Sequence, residues 1–363
     1  MIVRHEYFGN LIWSDKENSY FVPKDLEVNK KVDELLTDKQ MVDNDITKEL
    51  LALGFDTNVR EIFSDNKNSL SAPLEYYFDY TNECNLRCKH CYNRESINNL
   101  HTMTNEEIVK IIKDMYECGI MRIHLAGGEP TLFPDKLRTY METANKYGIV
   151  SSMSSNGMLI TEEIFDIIVK NNVTSFTVSL ESADEEKNAQ IRGRGVLEKS
   201  KEGIRRLAKW RQERGGNFII TVKMSYDVNC TEAEFEEMIL LAIELNVDML
   251  KLINPERCIF HEKGHYSNVA EKYYKNLELI NKLVEKYKEK ILITTVNSPV
   301  NYCTSVGLPN MKGCIGAQEL IAINSDGSVT PCLMNKYDLG NIFEVLFDVD
   351  VKETKGFQIK LVK

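Results

Sequence analysis

Strand-like and helix-like runs alternate along residues 74 to 254, and this alternation constrains the fold of the 363-residue chain more than any other feature. The predicted strands cover residues 74–80, 120–126, 149–154, 174–180, 218–224 and 249–253. The predicted helices cover 104–118, 134–147, 161–170, 196–214 and 231–245, two of them opening with capping-box sequences at Thr104 and Thr231. Repeated β–α units form parallel sheets. Six units are too few for an eight-stranded barrel, so we expect an α/β fold with a partial (β/α)6 TIM barrel.

The flanking segments predict further parts of the molecule. Residues 1–68 form a small N-terminal module in which two strands, 7–13 and 19–22, precede two helices, 28–36 and 46–54. The barrel then occupies residues 69–258, and a connecting helix lies within 259–290. Residues 291–363 contain short strands, a turn and three cysteines, which predicts a small C-terminal α+β domain.

The composition excludes several classes of function. The net charge of −10 argues against nucleic acid as a partner, because non-specific nucleic-acid binding needs a basic surface. No apolar run approaches the ~20 residues that span a bilayer, and the first residues do not resemble a signal peptide. We therefore expect a cytoplasmic protein without a membrane partner. In that compartment, nine cysteines point to metal binding or chemistry more than to disulfides.

Three cysteines follow the first predicted barrel strand in the spacing Cys84-x3-Cys88-x2-Cys91. This position lies at the carboxyl end of the sheet, where active sites of such folds are built. An iron–sulfur cube of the [4Fe–4S] type needs four ligands, so a loop with three thiolates leaves one iron open. A structural zinc site with His90 as fourth ligand is the alternative, although His90 adjoins Cys91 and both would strain one tetrahedral ion.

The triplet, followed by the aromatic Tyr92, resembles the signature of the radical SAM superfamily. The resemblance implies that S-adenosylmethionine binds the open iron of a [4Fe–4S] cluster and is reductively cleaved to a 5′-deoxyadenosyl radical, which abstracts hydrogen from a substrate. An external electron donor such as flavodoxin or ferredoxin would supply the electron. The cofactors carry the difficult chemistry, while the protein binds and positions them.

Other loops resemble the cofactor-binding motifs of this superfamily, in the expected order along the chain. Gly127, Gly128, Glu129 and Pro130 resemble the GGEP motif, which holds the methionyl ammonium. Ser155 and Asn156 lie where relatives contact the ribose, and Ser179 lies where relatives hold ribose or methionyl groups. Arg192 and Arg194 match a loop from which relatives direct an arginine at the methionyl carboxylate. The alternative is that the polar residues form turns and both arginines are solvated.

The C-terminal cysteines resemble the opening of a SPASM domain, with Cys314-x12-Gly327-x4-Cys332 and Cys303 upstream. No cysteine follows Cys332, which favours the shorter twitch type with one auxiliary [4Fe–4S] cluster bound by Cys303, Cys314 and Cys332. The fourth ligand is Cys258, a substrate group or nothing. Cys230 and Cys258 are also candidates for donating a hydrogen atom to a substrate radical, against plain packing as the alternative.

The N-terminal module resembles the winged-helix-like peptide-recognition element of enzymes that mature ribosomally synthesised peptides. The resemblance implies a precursor peptide with a leader that adds as a strand to a sheet edge. A module that only stabilises the barrel is the alternative. The expected reaction is thioether or carbon–carbon cross-linking, or epimerisation, of that peptide. Other possibilities are a small-molecule enzyme similar to the molybdenum-cofactor cyclases and a non-catalytic iron–sulfur scaffold or electron carrier.

Overall fold

The computed structural model describes residues 1–23, 25–38, 45–52, 54, 59–64, 70–94, 98–227, 229–253, 266–296 and 319–343. The N-terminal module contains β1 (Ile2–Glu6), β2 (Gly9–Ser14), β3 (Ser19–Phe21), α1 (Leu26–Asp38), α2 (Asp45–Ala52) and β4 (Arg60–Phe63). Its sheet has the order β3-β2-β1-β4, in which β4 runs parallel to β1 and the other pairs are antiparallel. The strand–strand–helix–helix order predicted from the sequence is present, and β1 and β4 are additional strands.

Strand β1 escaped the sequence prediction because it carries charged residues that are nevertheless buried. The Arg4 side chain is 1% exposed, and its Nε donates to Glu6 Oε1 at 2.8 Å. Its other nitrogens donate to Ser71 Oγ and to the carbonyl oxygens of Ala72 and Pro73. A buried charge is tolerated when it is paired and fully hydrogen-bonded. The buried pair therefore fastens β1 to the segment that enters the barrel.

The rest of the described chain builds a second, larger sheet. Its strands are β5 (Glu75–Phe78), β6 (Arg122–Leu125), β7 (Val150–Ser155), β8 (Ser175–Ser179), β9 (Ile219–Ser225), β10 (Met249–Ile253), β11 (Leu292–Val296), β12 (Leu320–Ile323), β13 (Ser328–Thr330) and β14 (Gly340–Asn341). Its helices are α3 (Asn105–Glu117), α4 (Pro134–Lys146), α5 (Glu162–Lys170), α6 (Glu185–Arg192), α7 (Val196–Arg214), α8 (Glu232–Glu244) and α9 (Tyr266–Tyr287). None of the described helices is long and apolar enough to cross a membrane. Both predicted capping boxes are present, at Thr104 and Thr231.

The strands follow the order β11-β10-β9-β8-β7-β6-β5-β12-β13-β14. Strands β5 to β11 are parallel to their neighbours, which gives the partial barrel that the sequence predicts. The sheet crosses the expected domain boundary at residue 291, since β11 pairs in parallel with β10 and β12 pairs in parallel with β5. Open backbone groups on the edges of a parallel sheet accept such further strands. The short, highly charged helix α6 is a further element that the sequence prediction left out.

The two faces of this sheet differ in polarity. Residues such as Ile123, Leu125 and Met153 belong to the main hydrophobic core, together with apolar residues of the surrounding helices. Alternate residues on the same strands point to the opposite face. On that inner face His124 bonds both Ser152 and Ser154, at 2.7 and 2.9 Å. The interior of the partial barrel is therefore polar, and its outer face carries the apolar packing that stabilises the fold.

The N-terminal module packs against the amino ends of the barrel strands. The Tyr20 hydroxyl donates to Gly119 O and accepts from Met121 N, immediately before β6. Arg60 donates to the carbonyl oxygens of Tyr116 and Glu117 at the end of α3. These contacts place the module at the end of the barrel opposite to the carboxyl ends of the strands.

Candidate active site

The cysteine triplet lies in the loop that follows β5, at the carboxyl end of the sheet. All three thiols are partly buried, and the Leu86 N–H donates to Cys84 Sγ at 3.3 Å. Burial raises the pKa of Cys84 to about 11 and also raises the pKa of Cys88. Iron binding would replace these protons, since the thiolate is the ligand. Three thiols on one loop, with an N–H directed at sulfur, match the donor chemistry of an iron–sulfur cube.

The zinc alternative fits the geometry less well. His90 Nε2 lies 3.3 Å from Glu181 Oε1, so the imidazole ring of His90 contacts the Glu181 carboxylate. Among the residues that the structure describes, no three His, Cys, Asp or Glu side chains are gathered around the position of one ion. An iron–sulfur cube does not require three side chains to surround one ion, because each cysteine binds a different iron atom.

The GGEP segment packs directly on the backbone that leads into the cysteine loop. Gly128 N donates to Thr81 O at 2.8 Å, and Glu129 N donates to Glu83 O at 2.7 Å. A Cβ on Gly128 would lie 2.0 Å from Glu83 O. Gly127 has a φ of +70°, and a Cβ there would lie 2.4 Å from Thr81 O. The two glycines are therefore required by contact between two loops of the protein itself.

Asp79 and Tyr92 also connect the GGEP segment to the loop that carries the cysteines. Asp79 Oδ1 accepts from Ala126 N at 3.1 Å, and Asp79 Oδ2 accepts from the Tyr92 hydroxyl at 3.2 Å. That hydroxyl also accepts from Gly127 N at 2.9 Å. Burial raises the pKa of Asp79 to about 7, against the opposing effect of these hydrogen bonds. Sequence reasoning missed Asp79, although a charged residue directly after an apolar and aromatic strand was a usable signal.

Glu129 is 1% exposed and accepts four hydrogen bonds from neutral donors. Its Oε1 accepts from Thr131 N, Thr131 Oγ1 and Ser155 Oγ, and its Oε2 accepts from Asn156 N at 2.7 Å. Burial raises the pKa of Glu129, and these donors only partly offset the effect. Asn156 Nδ2 donates in turn to Asn85 Oδ1 in the cysteine loop at 2.7 Å. We call Glu129, Thr131, Ser155 and Asn156 the Glu129 network.

Glu181, after β8, is the third buried carboxylate of the site, and it has a charged partner in Arg192. Arg192 Nε and Nη2 lie 2.9 and 2.7 Å from Glu181 Oε1, and Ser225 N donates to Oε2 at 2.8 Å. Burial by itself would raise the pKa of Glu181, but Arg192, His90 and the Ser225 N–H lower it to about 2. We call Glu181, Arg192, His90 and Ser225 the Glu181 network. It joins the cysteine loop to three other elements of the barrel.

The remaining predicted cofactor residues fall into two groups. Ser179 is buried at the end of β8, and Pro130 O accepts from the Tyr80 hydroxyl at 2.7 Å. The Arg194 side chain is 87% exposed and lies 4.0 Å from Glu186. The structure thus brings Arg192 into the site and leaves Arg194 at the surface.

The predicted auxiliary cysteines are described only in part. Cys332 is partly buried in the loop after β13, and Thr330 Oγ1 donates to its carbonyl oxygen at 3.1 Å. In the same loop, Lys336 Nζ lies 5.4 Å from the centre of the Tyr92 ring, beside the first cysteine loop. Cys258, Cys303 and Cys314 lie outside the described residues.

Cys230 lies just before α8, and its environment keeps the thiol protonated. Burial raises its pKa to about 12, with Glu234 acting in the same direction. A cysteine near a helix N-terminus commonly has a lowered pKa, so burial outweighs the helix here. The neutral thiol is the form that can donate a hydrogen atom, while the thiolate would be the nucleophile.

Comparison with known proteins agrees with this geometry. Residues 79–242 match the model of the Radical SAM superfamily. This segment is therefore similar to the radical SAM proteins. It is 28% identical over 274 residues to a probable GTP 3',8-cyclase of Sulfurisphaera tokodaii, covering 73% of this chain and 83% of that protein. It is 23% identical over 303 residues to the antilisterial bacteriocin subtilosin biosynthesis protein AlbA of Bacillus subtilis, covering 82% of this chain and 63% of AlbA.

The similarity in fold extends beyond the segment that matches the family model. The crystal structure of SuiB of Streptococcus suis bound to precursor peptide SuiA superposes with a TM-score of 0.67 at 18% identity. The superposition covers 94% of this chain and 84% of SuiB. It confirms the α/β fold with a partial barrel. The Radical SAM superfamily implies a [4Fe–4S] cluster and S-adenosylmethionine as cofactors.

Proposed function

We propose that this radical SAM enzyme modifies a ribosomally synthesised precursor peptide. The observation that carries the proposal is the combination, in one chain, of a cysteine-loop site and a separate β-rich module at the opposite end of the barrel. The superposition on SuiB extends over 94% of the chain, which is more than the radical SAM domain alone. AlbA, a bacteriocin biosynthesis protein, is similar over 82% of the chain.

In this proposal, Cys84, Cys88 and Cys91 hold the [4Fe–4S] cluster, and the GGEP loop and Arg192 bind S-adenosylmethionine. When bound, the cluster and S-adenosylmethionine supply the one-electron chemistry that breaks an unactivated C–H bond of the peptide. The carboxyl ends of the strands hold these groups together in a polar interior and restrict the access of water. Arg192 uses two of its nitrogens on Glu181, and its Nη1 bonds no residue within the described part of the chain. That nitrogen is the one we assign to the methionyl carboxylate.

Glu129 has a positioning role in this proposal. It already accepts four hydrogen bonds, three of them on Oε1. Each carboxylate oxygen has about two lone-pair sites, so Oε2, which accepts one hydrogen bond, retains capacity for one further donor such as an ammonium. The residue would thus fix the Ser155–Asn156 turn first and contact the cofactor through one oxygen.

The reaction we propose is cross-linking or epimerisation, with a leader peptide bound by the N-terminal module. Strand β3 is one edge of the module's sheet and is available for strand addition. An auxiliary cluster bound by Cys303, Cys314 and Cys332, with Cys258 as a possible fourth ligand, would accept the second electron of a cross-linking reaction. Cys230 or Cys258 would return a hydrogen atom in an epimerisation. An external flavodoxin or ferredoxin completes the electron supply.

One observation favours a small-molecule enzyme as the second candidate. The similarity to a GTP 3',8-cyclase covers 83% of that protein at a higher identity than the similarity to AlbA. A nucleotide substrate would then take the place of the peptide above the same radical SAM site.

The two candidates are distinguished with reconstituted, reduced protein. S-adenosylmethionine is supplied with GTP in one reaction and, in another, with a peptide encoded beside the gene. Loss of two hydrogens from the peptide indicates cross-linking, and solvent deuterium uptake without that loss indicates epimerisation. Conversion of GTP together with an unchanged peptide would overturn the peptide proposal. Absence of 5′-deoxyadenosine in every reaction would contradict radical SAM activity itself.

A further inference from the structure

Two lysines on neighbouring strands face the interior of the barrel at the same level. Lys223 on β9 and Lys251 on β10 are direct partners in the parallel register. Their chain neighbours Met224, Leu250 and Leu252 are buried in the main hydrophobic core, between the sheet and its helices. Because successive side chains alternate across a strand, the lysines point to the inner face. Both side chains are partly exposed there.

The two ammonium groups have no acidic partner in the described part of the chain. Within the described residues, neither lysine forms an ion pair or a hydrogen bond. Adjacent strands are only about 4.8 Å apart, so two cations at this level repel one another. Burial lowers the pKa of Lys223 to about 8 and also lowers the pKa of Lys251. Two partly desolvated cations side by side are stabilised when an anion binds between them.

The groups around the lysines do not supply that anion. Glu181 acts on Lys223 from β8, but it is already bound by Arg192 and His90. Glu75 on β5 acts on Lys251 without an ion pair between them among the described residues.

His124 adds no charge of either sign. Burial and the two lysines lower its pKa to about 3, and both ring nitrogens are bonded to serines. Arg192 adds a further positive charge near Lys223. Among the described residues, the positive charges on β9 and β10 are therefore not balanced by an acidic group facing the interior.

We propose that Lys223 and Lys251 together bind a carboxylate of the substrate peptide, either an acidic side chain or the chain terminus. The assignment rests on the proposed function and names the chemistry that the peptide must present inside the barrel. Two ammonium groups on adjacent strands can each donate to one carboxylate oxygen. The contact would anchor the peptide next to the cysteine loop and select cores that carry an acidic group.

The test measures protection of the two lysines from amine acetylation in reconstituted protein with S-adenosylmethionine bound, with each site followed by mass spectrometry. The probes are N-acetylglutamate amide, which carries a side-chain carboxylate, and N-acetylalanine, which carries a terminal one. N-acetylglutamine amide is the neutral control, and pyrophosphate tests for a phosphate site. A carboxylate probe at about four times its Kd should slow acetylation of both lysines about fivefold, according to 1 + [L]/Kd. The exposed Lys209 should show no change.

Variants separate a joint site from two independent lysines. Lys251→Met should abolish the protection of Lys223, Lys251→Arg should retain it, and Lys209→Met should behave as the unchanged protein. Which carboxylate probe protects identifies the acidic side chain or the chain terminus as the ligand. Protection by neither carboxylate probe, equal protection by N-acetylglutamine amide, or protection by pyrophosphate alone would overturn the assignment. So would full protection by S-adenosylmethionine before any probe is added.

The acetylation assay requires no turnover, so it fails independently of the proposed function. Protection by carboxylate probes together with an unmodified peptide contradicts the peptide-modifying role alone. Peptide modification without carboxylate protection contradicts the lysine site alone.

Discussion

The Glu129 network and the Glu181 network are both built around a carboxylate buried at the carboxyl end of a barrel strand, yet they solve the problem of burial differently. Glu129 is surrounded by neutral donors, and its pKa is raised. Glu181 is bound by Arg192 and His90, and its pKa is lowered to about 2. Equal burial is therefore accompanied by opposite pKa shifts, upward for Glu129 and downward for Glu181. The Glu129 network therefore fixes the conformation of the loops it joins, and the Glu181 network holds a negative charge beside the cysteine loop.

The largest expected effect comes from removing the close approach on which the Glu129 network depends. Gly128→Ala places a Cβ against Glu83 O, so the GGEP loop must move away from the cysteine loop. A displacement of about 1 Å can lower a rate by about 100-fold, and we expect at least that loss in S-adenosylmethionine cleavage. Cleavage is measured as 5′-deoxyadenosine, together with iron bound per chain.

The control for this prediction is Gly148→Ala. A Cβ on Gly148 meets no atom within 4 Å, although the φ of this residue is positive, at +66°. Gly148→Ala therefore adds backbone strain that Gly128→Ala does not have, and it lacks the clash. Equal activity of the two variants would show that the approach of the GGEP loop is not critical.

The Glu181 network should be the more sensitive of the two to loss of one partner. Arg192→Met leaves the Glu181 carboxylate buried without its guanidinium partner. Breaking a buried ion pair in this way lowers the free energy of unfolding by about 3–5 kcal/mol. Urea unfolding measures the difference, and the double variant Arg192→Met/Glu181→Gln should recover part of it.

The matched control is Arg194→Met, two residues further along the chain. Its side chain is exposed, and we expect a change within about 0.5 kcal/mol. If the two methionine variants were equally stable, the Glu181 pairing would not contribute to stability.

The Glu129 network should lose less from a single substitution. In Glu129→Gln, the amide has one acceptor oxygen, whereas the surrounding donors bond to both oxygens of the carboxylate. Buried donors are therefore left without a hydrogen bond. Such a change lowers the free energy of unfolding by about 1–3 kcal/mol. The exposed Glu142→Gln is the control for the same chemical change. A loss larger than that in Arg192→Met would reverse the ranking of the two networks.

The smallest expected effect is a difference in pH dependence, and it has opposite signs for the two carboxylates. Glu181 has a lowered pKa in the folded protein, so its stabilisation is present above the ordinary glutamate pKa and is lost as the pH falls towards 2. Glu129 has a raised pKa, so its contribution to stability decreases as the pH rises above the ordinary value.

Unfolding by urea from about pH 6 down to pH 3 tests these signs, since each proton contributes at most about 1.4 kcal/mol per pH unit. Glu181→Gln should flatten the loss of stability towards low pH, and Glu129→Gln should steepen it. Parallel curves for the two variants would contradict the opposite shifts.

The sequence predicts much of this arrangement because the signals are local. The six barrel strands, the two capping boxes and the cysteine loop each follow from residues close together in the chain. Glu129 accepts hydrogen bonds from Ser155 and Asn156, which lie where the neighbouring strand ends, at the same end of the parallel sheet. Helix α6 escaped prediction because its residues are almost all polar and give no apolar period.

The charged contacts of the site were beyond sequence reasoning for a different reason. Asp79 meets Ala126 across 47 positions, and Glu181 is 91 positions from His90. No local pattern indicates which distant charge will neutralise a buried carboxylate. The lysine pair on β9 and β10 depends in the same way on the register between two strands, which only the folded sheet determines.

Because the N-terminal module lies at the amino ends of the strands, the length of the barrel separates it from the cysteine loop. Strand β7 has six residues and spans roughly 20 Å at about 3.3 Å per residue. A peptide held at the module must cross at least that length to reach the cysteine loop. Even fully extended, it needs about six residues for the crossing, and more if it passes around the helices. Under the proposed function, the fold would therefore set a minimum separation between the peptide segment that the module recognises and the residue that is modified.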